Sequence, residues 1–500
     1  MRAIRSCVIG SRRDDLLVVL AAAVPLAWLL LREHVIAGGA GFPLDDSWIH
    51  LHFARNLAAG DGFAYNPGHP VAGSTAPLWT LVLAAGAGIG GASLVMAKTL
   101  GVACAIAAAL VVRRAAMAFG APPATALVAA VALLWSGAFA WGALSGMEVT
   151  LAALLVAVAL WSLALDATWM TAVAAGLAAL ARPEAIVLAP LLALARPLGV
   201  RRALLFAVVV ATLLAPFVAF SYATVGRPLP ATAVAKIEGG LLGWLAGVRE
   251  PAAVTWLTRP REFGLEWVRW LFTTHPLLPL ALPAAVLAGR RRGRALGVVA
   301  LALIAHPLAM ALLAPYRGPA FQEGRYSTHL LPLAVVVLAA MPGKPGRARS
   351  ALLANVLLAG VLVASLVALA PAAERYAWGV QNINAMQVHL GHWLDARTPR
   401  AATLAVNDIG AIAFFSRRPV LDLMGLVTPE ILPYRREGET GVITYVTERC
   451  PDYVVIFPAW FPRLASRHDL MTPVYSVRLE RNEVSGAAEM VVYRVTRCAV

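Results

Sequence analysis

Two adjacent carboxylates, Asp45 and Asp46, stand in the stretch PLDDSWIHLHFARNLAAGDGFAYNPGHPVAGSTAPLW (residues 43–79), beside His50, His52, Arg55, Asn56 and His69. A carboxylate at a half-buried face can take a proton from a hydroxyl, a step that supplies about 10²–10⁴ in rate. A second carboxylate beside it raises one pKa of the pair, because like charges resist joint ionisation. If the other reactant leaves as a phosphate, cations are needed to stabilise it. Arg55, Arg182 in the Arg-Pro-Glu turn, Lys236 and Arg325 are the candidates. A helix start also asks for one Asp as its cap; two exceed that need, so one can cap while the other faces a cavity. His50 and His52 lie two apart, which on a helix turns them to different faces, a poor arrangement for a shared metal. Paired carboxylates suit a hard divalent cation. The residues alone leave open whether one sits beside Asp45 and Asp46, and no metal ligand set is assigned.

The elements that must hold these groups are apolar helices. The chain has 500 residues, 60% of them hydrophobic and only 14% charged, with a mean hydropathy of +0.73. Ordinary globular chains carry roughly 25% charged residues. Apolar runs of bilayer length, about 20 residues, recur from residue 15 to about 371. The expected spans are 15–33, 97–115, 124–143, 149–165, 168–182, 184–196, 203–222, 268–289, 296–315, 327–342 and 351–371. The first reads as an uncleaved span rather than a signal peptide, since no small-residue cleavage site follows it. The net charge of +15 does not point to nucleic acid, because the arginines gather at the ends of apolar runs, where they orient a membrane protein.

The apolar segment 77–95 decides the topology. If it does not cross, the clusters at Arg2–Arg13, Arg113–Arg114, Arg196–Arg202, Arg290–Arg294 and Lys344–Arg349 all fall on one side, as the positive-inside rule asks. The segment is Gly-rich and starts Ser-Thr-Ala-Pro, which fits a helix start with an early Pro. The expectation is therefore eleven spans, a cytoplasmic N-terminus, and an interfacial or re-entrant 77–95. Trp48, Ile49, Leu51, Phe53 and Leu57 give the preceding helix an apolar face for lying on the membrane surface, ended by Gly60 and an Asp-Gly turn. The fold class is a polytopic α-helical membrane protein with a C-terminal extracytoplasmic α/β domain. Its division is a transmembrane module at 1–371 and a soluble tail at 372–500. The tail's short β-like runs, TLAVNDIG, RPVLDL, DYVVIF and EMVVYRV, carry that reading. Cys450 and Cys498 lie on its oxidising side, where a disulfide is allowed.

The other chemistry-bearing residues each have a plain alternative. Glu148 starts the helix after span three, where the dipole favours an acid. Arg182 and Glu184 can pair with each other, though intramembrane ionisable residues are costly and often functional. Lys236 can snorkel to the interface. Arg325, Tyr326 and His329 open span ten from outside, with Arg325 and His329 at i, i+4 on one face. Tyr65 and Asn66 sit in a Gly-Pro-rich turn, and Asp408-Ile-Gly reads as a turn.

Taken in order, PLDDSWIHLHFARNLAAGDGFAYNPG, GSTAPLW, LSGMEVTL (144–151), ARPEA (181–185), GRPLPATAVAK (226–236), GRYSTHLLP (324–332) and NDIGAIAFFSRRPVLDLMGL (407–426) resemble the GT-C superfamily of integral membrane glycosyltransferases. The likeness is greatest to the terminal arabinofuranosyltransferase-like branch. The acidic pair alone is a weak signal; the ordered set spans most of the chain. The resemblance implies a GT-C-like fold with interfacial helices after the first span. It implies inverting transfer of a sugar, arabinofuranose by the nearest branch, from a polyprenyl-phosphate donor to a hydroxyl of a cell-envelope glycan or lipid acceptor. The location implied is the outer face of the bacterial inner membrane. It carries the role of base over to Asp45, with Asp46 as neighbour, and makes Arg55, Glu148, Arg182, Glu184, Lys236, Arg325, Tyr326 and His329 candidate substrate contacts. No cofactor is required, and no G-x-x-x-x-G-K-[ST] fingerprint is present. The rival reading is a transporter or lipid-linked-sugar translocase without catalysis. Transporters favour internal repeats and midplane polar residues, whereas here repeats are absent and the polar residues collect at helix ends.

Overall fold

The computed structural model describes residues 12–196, 199–237, 239–245, 250–273, 294–313, 321–340 and 348–497. The basic run 290–293, most of the Lys344–Arg349 cluster, the greater part of the expected span 268–289, and Cys498 lie outside them. Cys450 is disulfide-bonded. The chain divides into two compact units: residues 12–29, 98–216 and 237–373 in one, and Leu30–Ala97, Phe217–Lys236 and Glu374–Val500 in the other.

The first unit is helical. Among the described residues, five helices are long and apolar enough to cross a membrane: Arg12–Ala37, Leu94–Ala118, Val200–Val225, Ala295–Leu313 and Ala359–Arg397, some of which run on into the second unit. A sixth is formed if Pro123–Leu134 and Gly137–Leu144, bent by 60°, count as one broken span. At 1.5 Å per residue a 26-residue helix reaches about 39 Å, enough for a hydrocarbon core of about 30 Å. Only 11% of the apolar window of Val200–Val225 is buried, so its Leu and Val side chains need lipid as their solvent. The expected spans at 149–165, 168–182 and 184–196 are short helices, Val149–Ala164, Thr168–Ala181 and Pro183–Leu194. They stop early because Asp166 takes a left-handed turn and Arg182 is extended before Pro183. The interior is packed with Ala: Ala153, Ala157, Ala172, Ala175 and Ala178 share one core, the small-residue contact that lets helices approach closely. Gly101 shows the limit, since a Cβ there would sit 2.3 Å from the Ala143 carbonyl oxygen. Arg113, 1% exposed, is neutralised by Asp14 (2.5 Å) and Asp15 (3.0 Å).

The second unit joins parts far apart in sequence. Its tail holds a five-stranded sheet of order β4-β3-β5-β7-β6. Here β3 is Leu404–Val406, β4 Val420–Asp422, β5 Tyr453–Ile456, β6 Met471–Arg478 and β7 Glu489–Val495, while β1 (Ala64–Asn66) and β2 (His69–Pro70) form a separate hairpin. β3 runs parallel to β4 and β5, with Leu404 opposite both Val420 and Tyr453; β7 is antiparallel to β5 and β6. The four β-like runs of the sequence are β3, β4, β5 and β7. β6 is an edge strand with mostly exposed residues, so no apolar run announces it.

The last boundary between the compact units, Ala373/Glu374, falls two residues from 371, and the second unit also takes in Leu30–Ala97 and Phe217–Lys236. Ile49, Phe53, Tyr65 and Val71 lie in one core with Leu404, Val406, Ile412, Val455 and Phe457, which ties the stretch after the first span to the tail. For the same reason helix Asp46–Ala59 does not offer its apolar residues to lipid. Trp48, Ile49, Leu51 and Phe53 are all buried in protein, Trp48 against Phe414 and Phe415. Helix Pro77–Gly90 has 14 residues, about 21 Å, too short to cross alone.

Candidate functional site

Asp45 does not cap its own helix: its backbone is helical and its side chain makes no cap bond there. It caps another. Its carboxylate accepts the Gly410 N–H at 2.6 Å and the Ala411 N–H at 2.7 Å, the free donors that open helix Gly410–Ser416. Gly410 is required, since a Cβ there would meet the Asp45 carbonyl oxygen at 2.1 Å. Burial raises the Asp45 pKa well above the usual carboxylate range, and the nearby Asp408 charge adds to it against the two backbone N–H groups. Asp408 is raised as well, by burial first, while the amide of Gln387 at 2.7 Å and the bond from Asp45 oppose the rise. Burial thus pushes both carboxyl groups towards the protonated form, and the Asp408 charge adds to the rise at Asp45. Asp408, which reads in the sequence as an ordinary turn residue, belongs to the acid cluster.

Asp46 is different. Its side chain is 27% exposed, and its carboxylate lies 3.8 Å from the Lys236 ammonium, itself 25% exposed. Lys236 ends helix Ala231–Lys236. That helix is held by the Ala231 N–H bonded to the Ala72 carbonyl at 2.8 Å, and by the Thr232 hydroxyl donating to the Gly73 and Leu426 carbonyls. The segments GSTAPLW, GRPLPATAVAK and RPVLDLMGL thus converge in one place. Asp422 organises the last of them: it accepts the N–H groups of Met424 (2.8 Å), Val427 (2.9 Å) and Leu426.

Several other polar residues of the loop bond to backbone groups or to one another. Arg55, a candidate cation for the leaving group, is nine residues beyond Asp46 on one helix, roughly 13 Å along it and half a turn round. Its guanidinium donates to the Phe414 carbonyl at 2.7 Å and stacks over the Phe414 ring at 4.5 Å. Asp45 and Arg55 therefore hold opposite ends of helix Gly410–Ser416, a carboxyl acceptor on its first N–H groups and a guanidinium on a carbonyl towards its C-terminus. Tyr65 donates its hydroxyl to Ile409 O at 2.8 Å. Asn66 exchanges two hydrogen bonds with Val420, and Asn56 donates to the Ala64 and Tyr65 carbonyls. His50 bonds Ser74 at 3.3 Å.

His52 Nε2–H donates to the Tyr65 carbonyl at 2.9 Å, and its Nδ1 faces Arg55 at 3.2 Å. Burial, then the Arg55 charge, lowers its pKa to about 3. The folded protein thus keeps His52 neutral where the unfolded chain, at 6.5, takes up a proton. This contribution is complete above pH 6.5 and is lost as pH falls from 6.5 towards 3. Going from pH 6.5 to 5 should remove about 2 kcal/mol. Thermal unfolding in detergent at pH 7 and pH 5 tests this: His52→Gln, which still donates to Tyr65, should lose that share of acid sensitivity. Equal sensitivity in both proteins would refute it.

The first unit holds a second polar group. Arg182 and Glu148 form an ion pair, each side chain 4% exposed, and Glu184 lies 3.4 Å from Arg182 Nε. The pair expected within the Arg-Pro-Glu turn is thus the weaker contact; the main partner is 34 residues upstream. Glu148 is the cap residue of helix Val149–Ala164. The guanidinium carbons of Arg182 and Arg325 lie 4.4 and 5.0 Å from the centre of the Tyr326 ring, and Arg325 donates to the Tyr326 hydroxyl at 3.0 Å. Arg325 and His329 do not share an α-helix as the spacing predicted. Residues 325–327 are a turn and Thr328–Leu330 a 3-10 turn, and the helix begins at Leu331. Pro332 at its second position clashes with continuation towards Thr328. His306, which the sequence did not single out, bonds the Glu184 carbonyl at 3.0 Å and His329 at 3.1 Å.

A family model described as "Domain of unknown function (DUF8728)" matches residues 381–493, which lie in the tail. No curated protein matches the chain by sequence. Solved structures match it over nearly its whole length. ArnT from Cupriavidus metallidurans, bound to undecaprenyl phosphate, superposes with a TM-score of 0.56 at 15% identity, covering 95% of this chain and 97% of that one. The Archaeoglobus fulgidus oligosaccharyltransferase, tethered to an acceptor peptide, superposes with a TM-score of 0.56 at 13% identity, covering 93% and 73%. The chain therefore shares the fold of these two proteins.

Proposed function

We propose that the protein is an inverting glycosyltransferase that moves a sugar from a polyprenyl-phosphate donor to a hydroxyl of an envelope glycan or lipid. It works at the outer face of a bacterial inner membrane, with a cytoplasmic N-terminus and an extracytoplasmic tail. The observation that carries this reading is the Asp46–Lys236 pair, about a quarter exposed on each side, beside Asp45, Arg55, Tyr65 and Asp422, which are bonded to backbone groups. The ArnT fold, known with undecaprenyl phosphate bound, supports a lipid-phosphate donor. The ordered likeness to the arabinofuranosyltransferase-like branch supports arabinofuranose as the sugar.

In this mechanism Asp46 takes the acceptor hydroxyl's proton as the oxygen attacks the sugar's anomeric carbon and the bond to the phosphate oxygen breaks. One displacement inverts that centre. Asp45, whose two oxygens each accept a backbone N–H, is assigned the positioning of Asp46, the next residue, in place of the role of base. Arg182, Arg325 and Tyr326 are assigned to the phosphate, and Glu148 and Glu184 hold Arg182 in place. No cofactor enters the scheme, and Lys236 supplies the positive charge beside Asp46.

The test is purified protein with a labelled polyprenyl-phosphate sugar and envelope glycan, with no metal added. Transfer with release of polyprenyl phosphate supports the reading. Binding of the lipid without its cleavage identifies a translocase instead, and absence of lipid binding removes both.

A further inference from the structure

Three segments of the first unit meet at two imidazoles that the proposed mechanism does not use. His306 lies on helix Arg294–Leu313 and His329 in the turn Thr328–Leu330; each is 1% exposed. Nε2 of His306 is 3.0 Å from the Glu184 carbonyl oxygen and 3.1 Å from Nε2 of His329. A carbonyl oxygen only accepts, so His306 carries a proton on Nε2. That N–H serves the carbonyl and the facing ring nitrogen together, as three-centre bonds do. The facing nitrogen of His329 must then present its lone pair, because two N–H groups at 3.1 Å would repel. The proton of His329 therefore sits on Nδ1. That atom is buried and has no hydrogen-bond partner among the described residues. A buried polar atom left without a partner is unfavourable, so the site calls for an acceptor. Its surroundings say which kind. Arg325 stands four residues before His329, Arg182 two before Glu184, and both guanidinium groups lie against the Tyr326 ring.

Building on the function proposed above, we infer that His329 Nδ1–H donates to a phosphoryl oxygen of the polyprenyl phosphate, and that His306 is the positioning residue that sets the His329 tautomer. His306 does so without touching the ligand. Its bond to Glu184 also ties the turn carrying Arg182 to the turn carrying Arg325. The logic is that of a metal-bound or catalytic histidine, whose working nitrogen is set by what the other one bonds.

Two measurements test this. In ¹⁵N-histidine-labelled wild type, NMR should find the proton of residue 329 on Nδ1. His306→Leu removes the orienting N–H and should weaken undecaprenyl phosphate binding about tenfold, the loss expected for a hydrogen bond to a charged group. His306→Gln, whose amide can donate to both partners, should bind close to wild type. A proton on Nε2 in the wild type, or unchanged binding in His306→Leu, overturns the inference and leaves the glycosyltransferase reading standing. If Nδ1 is protonated but the wild type binds no undecaprenyl phosphate, the lipid-donor reading fails and the ligand assignment with it. Inorganic phosphate binding as tightly as the lipid also overturns the lipid assignment; a clear preference for the lipid supports it.

Discussion

Asp46→Asn should leave the protein folded and lower turnover by about 10²–10⁴, the share a positioned base supplies. Its stability should hardly change. The Asp46–Lys236 pair is about a quarter exposed on each side with its charges 3.8 Å apart, and ion pairs of that kind contribute about 0–1 kcal/mol. Asp45→Asn should behave in the opposite order. Its amide nitrogen would face the Gly410 or Ala411 N–H that an oxygen now accepts, so one buried donor loses its partner at a cost of about 1–3 kcal/mol. Its activity loss should thus come with a lower unfolding temperature. Donor binding, unfolding temperature and initial rate measured on both variants separate the roles. A stable, inactive Asp45→Asn beside an active Asp46→Asn would return the base to Asp45.

Arg182→Met should destabilise the protein by about 3–5 kcal/mol, because it removes the guanidinium that neutralises Glu148 in a site where both side chains are 4% exposed. Replacing both partners, Arg182→Met with Glu148→Leu, should recover most of that loss, since an apolar pair of similar volume is often as stable as a buried ion pair. Unfolding of the wild type, both single variants and the double variant gives the coupling directly. Additive single effects would mean that the two charges do not depend on each other. The double variant also separates structure from chemistry. It should be stable and yet bind undecaprenyl phosphate poorly, because the donor loses a cation that no apolar repacking replaces. Wild-type affinity in that variant would assign Arg182 to the framework alone.

Several elements of this protein could be read from local pattern. Gly60 ends the helix after the acidic pair in a left-handed turn, with its N–H on Asn56 and Leu57, as the Gly-Asp-Gly signal predicts. The four apolar runs of the tail are strands, and 77–90 is a helix opened by Pro77. These follow from propensity and period, which act over a few residues. The edge strand β6 escaped because its residues are mostly exposed and alternate without an apolar run.

The roles of individual side chains were far less legible. Arg55 reads in the sequence as a candidate cation for a leaving phosphate, but it donates to the Phe414 carbonyl, 359 residues away. Asp45 looked like a base or a cap for its own helix; it caps one that begins 365 residues later. Arg182 seemed made for Glu184, two positions on, and is matched instead to Glu148. Asp408 and His306 gave no signal beyond their residue type.

By itself the sequence determined the class of molecule, its apolar helices, an α/β tail and which few segments carry polar chemistry, because hydropathy and residue period are properties of neighbours along the chain. Only the tertiary structure decided which of those polar groups are spent on structure and which remain accessible. A buried donor or acceptor must find a partner wherever folding brings one, and Asp45, Arg55 and His306 each find one more than a hundred residues away.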